Sequence, residues 1–178
     1  IIRATDNGQI TALVLLDLSA AFDTVDHTTL IDVLHRSFAV DGQPLTWFKS
    51  YLSDRTQTFS TAGKQSTPLN VECSVPQGSV LGPLEFISYT ENIREIFDSF
   101  KITHHLFADD KQLLKSSEIK DINSVQLLLS SCISVVRDWC SSRRLLLNGS
   151  KTELIWFGSH CNLNKLSNTD LTVTVGSD

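Results

Sequence analysis

The sequence predicts an α+β fold, an antiparallel sheet with helices packed on one face, and three observations lead there. Ile10–Leu18 (ITALVLLDL) is an apolar, β-branched and leucine-rich run broken only by Asp17 near its end. Without polar alternation it predicts a strand buried on both faces. Residues 55–75 and 101–115 each carry strand-like residues on both sides of a turn. Elsewhere apolar residues recur at threes and fours, the period of a helix. The resulting order is strand, two helices, a hairpin, a helix, a hairpin, a helix and a strand. Successive hairpins speak for antiparallel pairing and against an alternating parallel βα array.

Each element has its own signal. Asp26 is placed to cap a helix from His27 to Phe38, where Leu30, Val33, Leu34 and Phe38 keep helical spacing. Gly42 and Pro44 mark a break and a new start, and Leu45, Phe48, Tyr51 and Leu52 line one face of a second helix. Arg55–Thr61 is Thr-rich and strand-like, Gly63-Lys64 is a turn, and Leu69–Val75 is expected to be the return strand. From Leu84 a single helix is expected through Phe100, on Phe86, Tyr89, Ile93, Ile96, Phe97 and Phe100. Lys101–Phe107 and Lys111–Lys115 form the second hairpin. Asp121 then caps a long helix to about Arg143, its buried stripe running from Ile122 through Cys132 to Cys140. Asn148-Gly149-Ser150 is a turn, and Lys151–Gly158 is the last strand. Beyond Ser159 the pattern loosens, as for an element cut off.

With 178 residues, 41% apolar and 20% charged, the chain has the composition of one globular domain, expected over residues 1–178. No apolar run reaches the length of a membrane span, and no signal peptide is visible, so neither a membrane nor export is expected. The four cysteines show no Cys-x-x-Cys spacing, which fits reduced, mostly buried thiols and an intracellular setting in nucleus or cytoplasm. His160-Cys161 could form half of a zinc site, but nothing nearby completes it. A net charge of −5 argues against a module that grips nucleic acid unaided, because that grip comes from Lys and Arg. The chain starts at Ile1 and contains no Met, so an internal piece of a longer polypeptide is expected.

Two stretches carry chemistry. In HHLFADDKQLL an apolar approach ends in the adjacent carboxylates Asp109 and Asp110, expected at a hairpin tip. Such a pair repels itself unless a cation or basic group neutralises it, although Asp is also ordinary turn chemistry. Asp17 at the end of a central strand stands where open α/β sheets place their chemistry. If the three acids converge, they suit Mg²⁺, and two such ions roughly 4 Å apart clamp the attacking and leaving oxygens of a phosphoryl displacement. The second stretch is Val75–Pro83 (VPQGSVLGP). Its two prolines and two glycines fix a tight loop in which Gly78 admits a ligand close to the backbone and Gln77 can hydrogen-bond a sugar or base edge.

LDLSAAFDTVDH (residues 16–27), VPQGSVLGP, FADD (residues 107–110) and LNGSKTELIWFG (residues 147–158) together resemble the reverse transcriptases of non-LTR, LINE-type retrotransposons. They occur in that family's order, and the resemblance covers residues 10 to 158. It implies a polymerase palm that adds deoxynucleotides to a primer 3′-end as an RNA-directed DNA polymerase, with two Mg²⁺ ions (Mn²⁺ as a substitute). RNA template, DNA primer and dNTP are the implied partners through the complete protein. Asp17 looks like the first metal-binding aspartate, Asp109 like the second, and Asp110 is similar to the acid that follows. Phe22 resembles the bulky gate against a nucleotide 2′-hydroxyl, and Gln77 and Gly78 the loop that meets the incoming nucleotide. Lys151 matches a lysine placed to protonate the leaving pyrophosphate. The chain departs from the family at three places, with Phe107 for a usual Tyr, Glu85 for an apolar residue, and Lys111 for a usual Thr. Fingers should precede Ile1 and a thumb should follow, so the isolated fragment is expected to be inactive. The rival readings are a degenerate, non-catalytic palm fragment of a decayed retroelement and, more remotely, a phosphoacceptor domain.

Overall fold

The computed structural model describes residues 1–166, 169, 171–173 and 175. In chain order it runs α1 (Ile2–Asp6), β1 (Ile10–Leu16), β2 (Leu18–Ser19), α2 (His27–Phe38) and α3 (Gly42–Leu52). Four two-residue strands follow, β3 (Thr56–Gln57), β4 (Ser60–Thr61), β5 (Lys64–Gln65) and β6 (Leu69–Asn70). Then come α4 (Gly82–Thr90), α5 (Ile93–Ser99), β7 (Thr103–Phe107), β8 (Asp110–Ser117) and α6 (Ile122–Ser142). The last elements are β9 (Leu146–Leu147), β10 (Glu153–Phe157) and α7 (His160–Asn164). The backbone divides into two compact units, one built on residues 1–19, 92–142 and 146 onward, the other on residues 20–91 and 143–145.

The first unit is organised on a four-stranded antiparallel sheet in the order β10-β1-β8-β7. The β1 strand is central because its residues are apolar on both faces. Ile10, Ala12, Val14 and Leu16 are at most 3% exposed, while Leu13 and Leu15 on the other face are half-buried. The helix side of the sheet packs against α6, whose stripe Val125, Leu129, Cys132, Ile133, Val136 and Cys140 is buried. Burial of that stripe removes several apolar side chains from water, each worth about 1.5–3 kcal/mol. With the single turn of 3₁₀ helix before it, α6 is long and apolar enough to cross a membrane by length and composition alone, a test that a core helix with a buried stripe also passes.

The second unit packs α2 against α3 and α4. Asp26 caps α2 as expected, its carboxylate accepting from the Thr29 amide at 2.8 Å. Leu30, Val33, Leu34, Phe86 and Tyr89 are buried. The hairpin expected over residues 55–75 is far smaller than the sequence suggests. The β3 strand pairs only with β6, and β4 with β5, and all eight of these residues are exposed. With no face to bury, the Thr-rich run gains nothing from a longer ladder.

Two further expectations change. The single helix through Phe100 is two, broken at Glu91 and Asn92. Thr90 turns its hydroxyl back to the Phe86 carbonyl at 3.0 Å, and the Glu91 amide closes a three-residue bond to Ser88, which tightens and ends α4. The run Ile10–Leu18 is also divided, because β1 ends at Leu16 while Leu18 and Ser19 pair with β9. Asp17 sits at that switch between two sheets.

Candidate active site

The carboxylates lie in the first unit. In the β1–β8 ladder Leu16 faces Lys111 and Leu15 faces Gln112. Alternation therefore puts Leu16 and Lys111 on the helix side, and Leu15, Gln112 and Asp110 on the open side. Asp110 begins β8, opposite Phe107, and lines an open cavity of about 460 Å³ with His105, Phe107 and Gln112. Asp109 is the second residue of the two-residue turn. Ala108, the first, has φ 52°, a region that costs a residue with a Cβ about 1–2 kcal/mol. The expected hairpin is thus present, with Asp109 in its turn and Asp110 just beyond.

Asp17 is held from both directions. The Asn148 amide donates to its carbonyl at 2.8 Å, which carries the β2–β9 pairing onward. Lys151 lies 3.9 Å from Asp17 Oδ2, an electrostatic contact too long for a hydrogen bond. That oxygen is buried and has no hydrogen-bond donor. Asn148 also orders the turn that delivers Lys151, its Oδ1 accepting from the Ser150 hydroxyl at 2.8 Å and from the Lys151 amide at 3.3 Å. Sequence reasoning read Asn148 only as turn chemistry. Its signal was its place one residue after the β9 pair.

Lys111 stands behind the turn at 1% exposure, its Nζ donating to the Ala108 carbonyl at 2.6 Å. Burial pulls its pKa down to about 8, against the opposing pull of Asp109, Cys140 and Asp110. At neutral pH it is an ammonium.

The residues expected to meet a nucleotide lie in the second unit. Residues 22–26 run antiparallel to 73–75: the Val75 amide donates to Phe22, the Ser74 amide to Val25, and Asp26 bridges Cys73. This pairing brings the loop of Gln77 and Gly78 to the Phe22 segment. The Phe22 ring stacks on Phe86 with centroids 4.8 Å apart. Gln77 Nε2 donates to Asp23 Oδ1 at 2.9 Å, so Asp23 orients the glutamine, a role the sequence reading did not assign. Gly78 has φ +79°, a backbone conformation that favours glycine, with open space where a Cβ would stand. Nearby, burial pushes the Asp26 carboxyl up, yet the Thr29 amide and hydroxyl and the Arg144 guanidinium outweigh it and hold the pKa below the usual value.

Glu85, in the first turn of α4, is 2% exposed, and neither carboxylate oxygen has a hydrogen-bond partner. Burial raises its pKa, opposed by Arg55, whose Nη1 is itself buried without an acceptor. The larger cavity of this unit, about 590 Å³ and lined by α2 and α3 residues such as Ile31, Leu45 and Lys49, contains none of the predicted site residues.

Among the described residues, no three His, Cys, Asp or Glu side chains stand together as a ready metal-holding group. The acids do fit a hard cation in kind, and Asp17 Oδ2 is a buried oxygen that lacks a donor.

The family model described as reverse transcriptase (RNA-dependent DNA polymerase) matches residues 2–169. The chain is 32% identical over 160 residues to the probable RNA-directed DNA polymerase from transposon BS of Drosophila melanogaster, covering 85% of this chain and 17% of that protein. It is 27% identical to the RNA-directed DNA polymerase from mobile element jockey of the same fly, over 89% of this chain and 17% of that protein. It is 28% identical to the Pol polyprotein from type-1 retrotransposable element R2 of Popillia japonica, over 79% of this chain and 20% of that protein. The chain thus spans about a fifth of the length of these relatives. Among solved structures, apo telomerase from Candida tropicalis truncated from its C-terminal domain matches with a TM-score of 0.66 at 14% identity, over 84% of this chain and 31% of that one. Telomerase from the same yeast in complex with a TWJ fragment of telomeric RNA gives 0.65 at 13% identity, over 89% and 29%. These structures share the fold, an α+β palm.

Proposed function

We propose, from the premise that this chain belongs to the reverse transcriptase (RNA-dependent DNA polymerase) family, that it is the palm of a non-LTR retrotransposon polymerase that extends a DNA primer on an RNA template. The observation that carries this reading is that β1, which ends one residue before Asp17, pairs with β8, the strand whose hairpin carries Asp109 and Asp110. Asp17, Asp109 and Asp110 would hold the divalent cations, Mg²⁺ or Mn²⁺. Bound there, two ions would supply charge stabilisation to the attacking and leaving oxygens of nucleotidyl transfer.

The chain's own residues do the rest. Asp17 Oδ2 is kept free of protein donors, so it can accept a cation without first breaking a bond. Lys151, exposed and 3.9 Å from Asp17, can deliver a proton to the leaving pyrophosphate. In the second unit Phe22, backed by Phe86, presents a rigid face that leaves no room for a 2′-hydroxyl. Gln77, oriented by Asp23, can hydrogen-bond the incoming nucleotide, while Gly78 lets it approach the backbone. Residues 1–178 form a partial domain in this reading. Fingers, thumb, template, primer and dNTP belong to the complete protein, and the isolated fragment has no turnover.

Replacing Asp109 by Asn in the complete polymerase is expected to abolish primer extension, measured on an RNA template with labelled primer. Persisting extension would sink the assignment. A second reading, a degenerate palm of a decayed element, is favoured by the buried carboxylate of Glu85. Sequencing the parent transcript across both ends of the fragment separates the two. An open frame with basic fingers upstream and a thumb downstream supports the polymerase, and stop codons or frameshifts support the fossil.

A further inference from the structure

Lys111 has no part in the roles assigned so far, yet it is the only lysine among the described residues that is fully buried. Its position follows from the ladder. Opposite Leu16 and one residue after Asp110, it points to the helix side of the sheet, under the turn rather than into the open face. There its Nζ donates to the Ala108 carbonyl at 2.6 Å, at the residue whose backbone is strained at φ 52°. Burial disfavours its charged form, and Asp109, the Cys140 thiol of α6 and Asp110 act against that. A buried ammonium is costly unless it meets partners that need it, and a pair of adjacent carboxylates is such a partner.

We propose that Lys111 is a positioning residue that gives the carboxylate turn a resident positive charge, holding residues 108–110 in place without a metal ion and lowering the site's affinity for divalent cations. The inference rests on the polymerase reading for its metal half and on the hairpin geometry alone for its positioning half. It deepens that reading by naming what sets the metal dependence of this particular chain. The ammonium does from inside the protein part of what a cation does from the open face. A divalent ion entering the site then meets acids already partly neutralised and a turn already ordered.

The test compares the full chain with Lys111→Met and Lys111→Arg. Mn²⁺ binding is titrated by electron paramagnetic resonance, and amide exchange across residues 108–111 is followed with and without Mg²⁺. Lys111→Met is expected to bind Mn²⁺ on the order of tenfold more tightly, the effect of removing one charge a few ångströms from a half-exposed site. Its turn should exchange faster than the native one and regain protection when Mg²⁺ is added. Lys111→Arg, which keeps the charge, should retain the native affinity.

In the native chain Mg²⁺ should leave the protection of the turn unchanged. Unchanged or weaker Mn²⁺ binding by Lys111→Met overturns the proposal, because a residue that only fills space would give that result. Ordering of the native turn by Mg²⁺ overturns it too, and that measurement needs no variant to fold. If Mn²⁺ binds neither the native chain nor the variants, the polymerase reading fails instead. Exchange then decides the positioning half: a less protected turn in Lys111→Met supports it, and equal protection overturns it.

Discussion

At the scale of single residues, the chain keeps the site's acids and spends stability elsewhere. Glu85 is the clearest case, a carboxylate at 2% exposure with no donor to either oxygen. Because burial raises its pKa above 4.5, the folded state holds the proton more tightly than the unfolded chain does. Its contribution is therefore fully favourable below pH 4.5 and is lost as pH rises through the folded value. Glu85→Leu should stabilise the protein at pH 7 by about 1–3 kcal/mol, with the gain shrinking towards pH 4.5. Urea unfolding of both proteins at the two pH values checks this. A destabilised variant at pH 7 would mean that the nearby Arg55 charge outweighs the burial cost. In the sequence Glu85 stood out only against its family; the burial that makes it costly depends on which face of α4 is covered.

At the scale of elements, α6 and β8 share a titrating interior. Burial raises the Cys132 thiol to about 11 and the Cys140 thiol to about 12, while Lys111 is lowered to about 8. The lysine contributes a stability that rises from pH 8, because the folded state releases its proton before the unfolded chain does. The two thiols act oppositely from pH 9 upward, where the unfolded chain ionises and the folded one does not. Each group contributes a slope on the order of 1.4 kcal/mol per pH unit. One rising and two falling contributions give a stability maximum near pH 9. Thermal melts at pH 7, 8, 9 and 10 under reducing conditions should trace it, and in Lys111→Met the rise from pH 8 to 9 should vanish.

The same scale shows what could be read in advance. The cap at Asp26, the strand from Ile10, the Asp109–Asp110 hairpin and the stripe of α6 were legible because local chemistry and burial agree there. The break between α4 and α5 was not. Apolar spacing continues through it, and only the Thr90 hydroxyl's bond to its own helix reveals the stop. Asp23 escaped notice because its value lies in a partner 54 residues away, which no local pattern records.

At the scale of the whole molecule, the family and the palm fold were legible from four motifs in order, and the match over residues 2–169 agrees. The division into two units was not legible, since each draws on distant stretches of chain. The predicted acids fall in one unit and Phe22, Gln77 and Gly78 in the other. Composition alone suggested one core. The segment from β3 to β6 belongs to no core at all. Every residue from Thr56 to Asn70 is exposed, and its strands are two residues long, joined at Ala62 and Gly63 by a turn with positive φ at both positions. Nothing packed depends on the length of that turn. It is therefore a natural port for engineering: a short epitope or fluorophore-binding peptide inserted between Ala62 and Gly63 should leave the melting temperature within a degree or two. That would give a purification and imaging handle remote in sequence from every residue assigned a role.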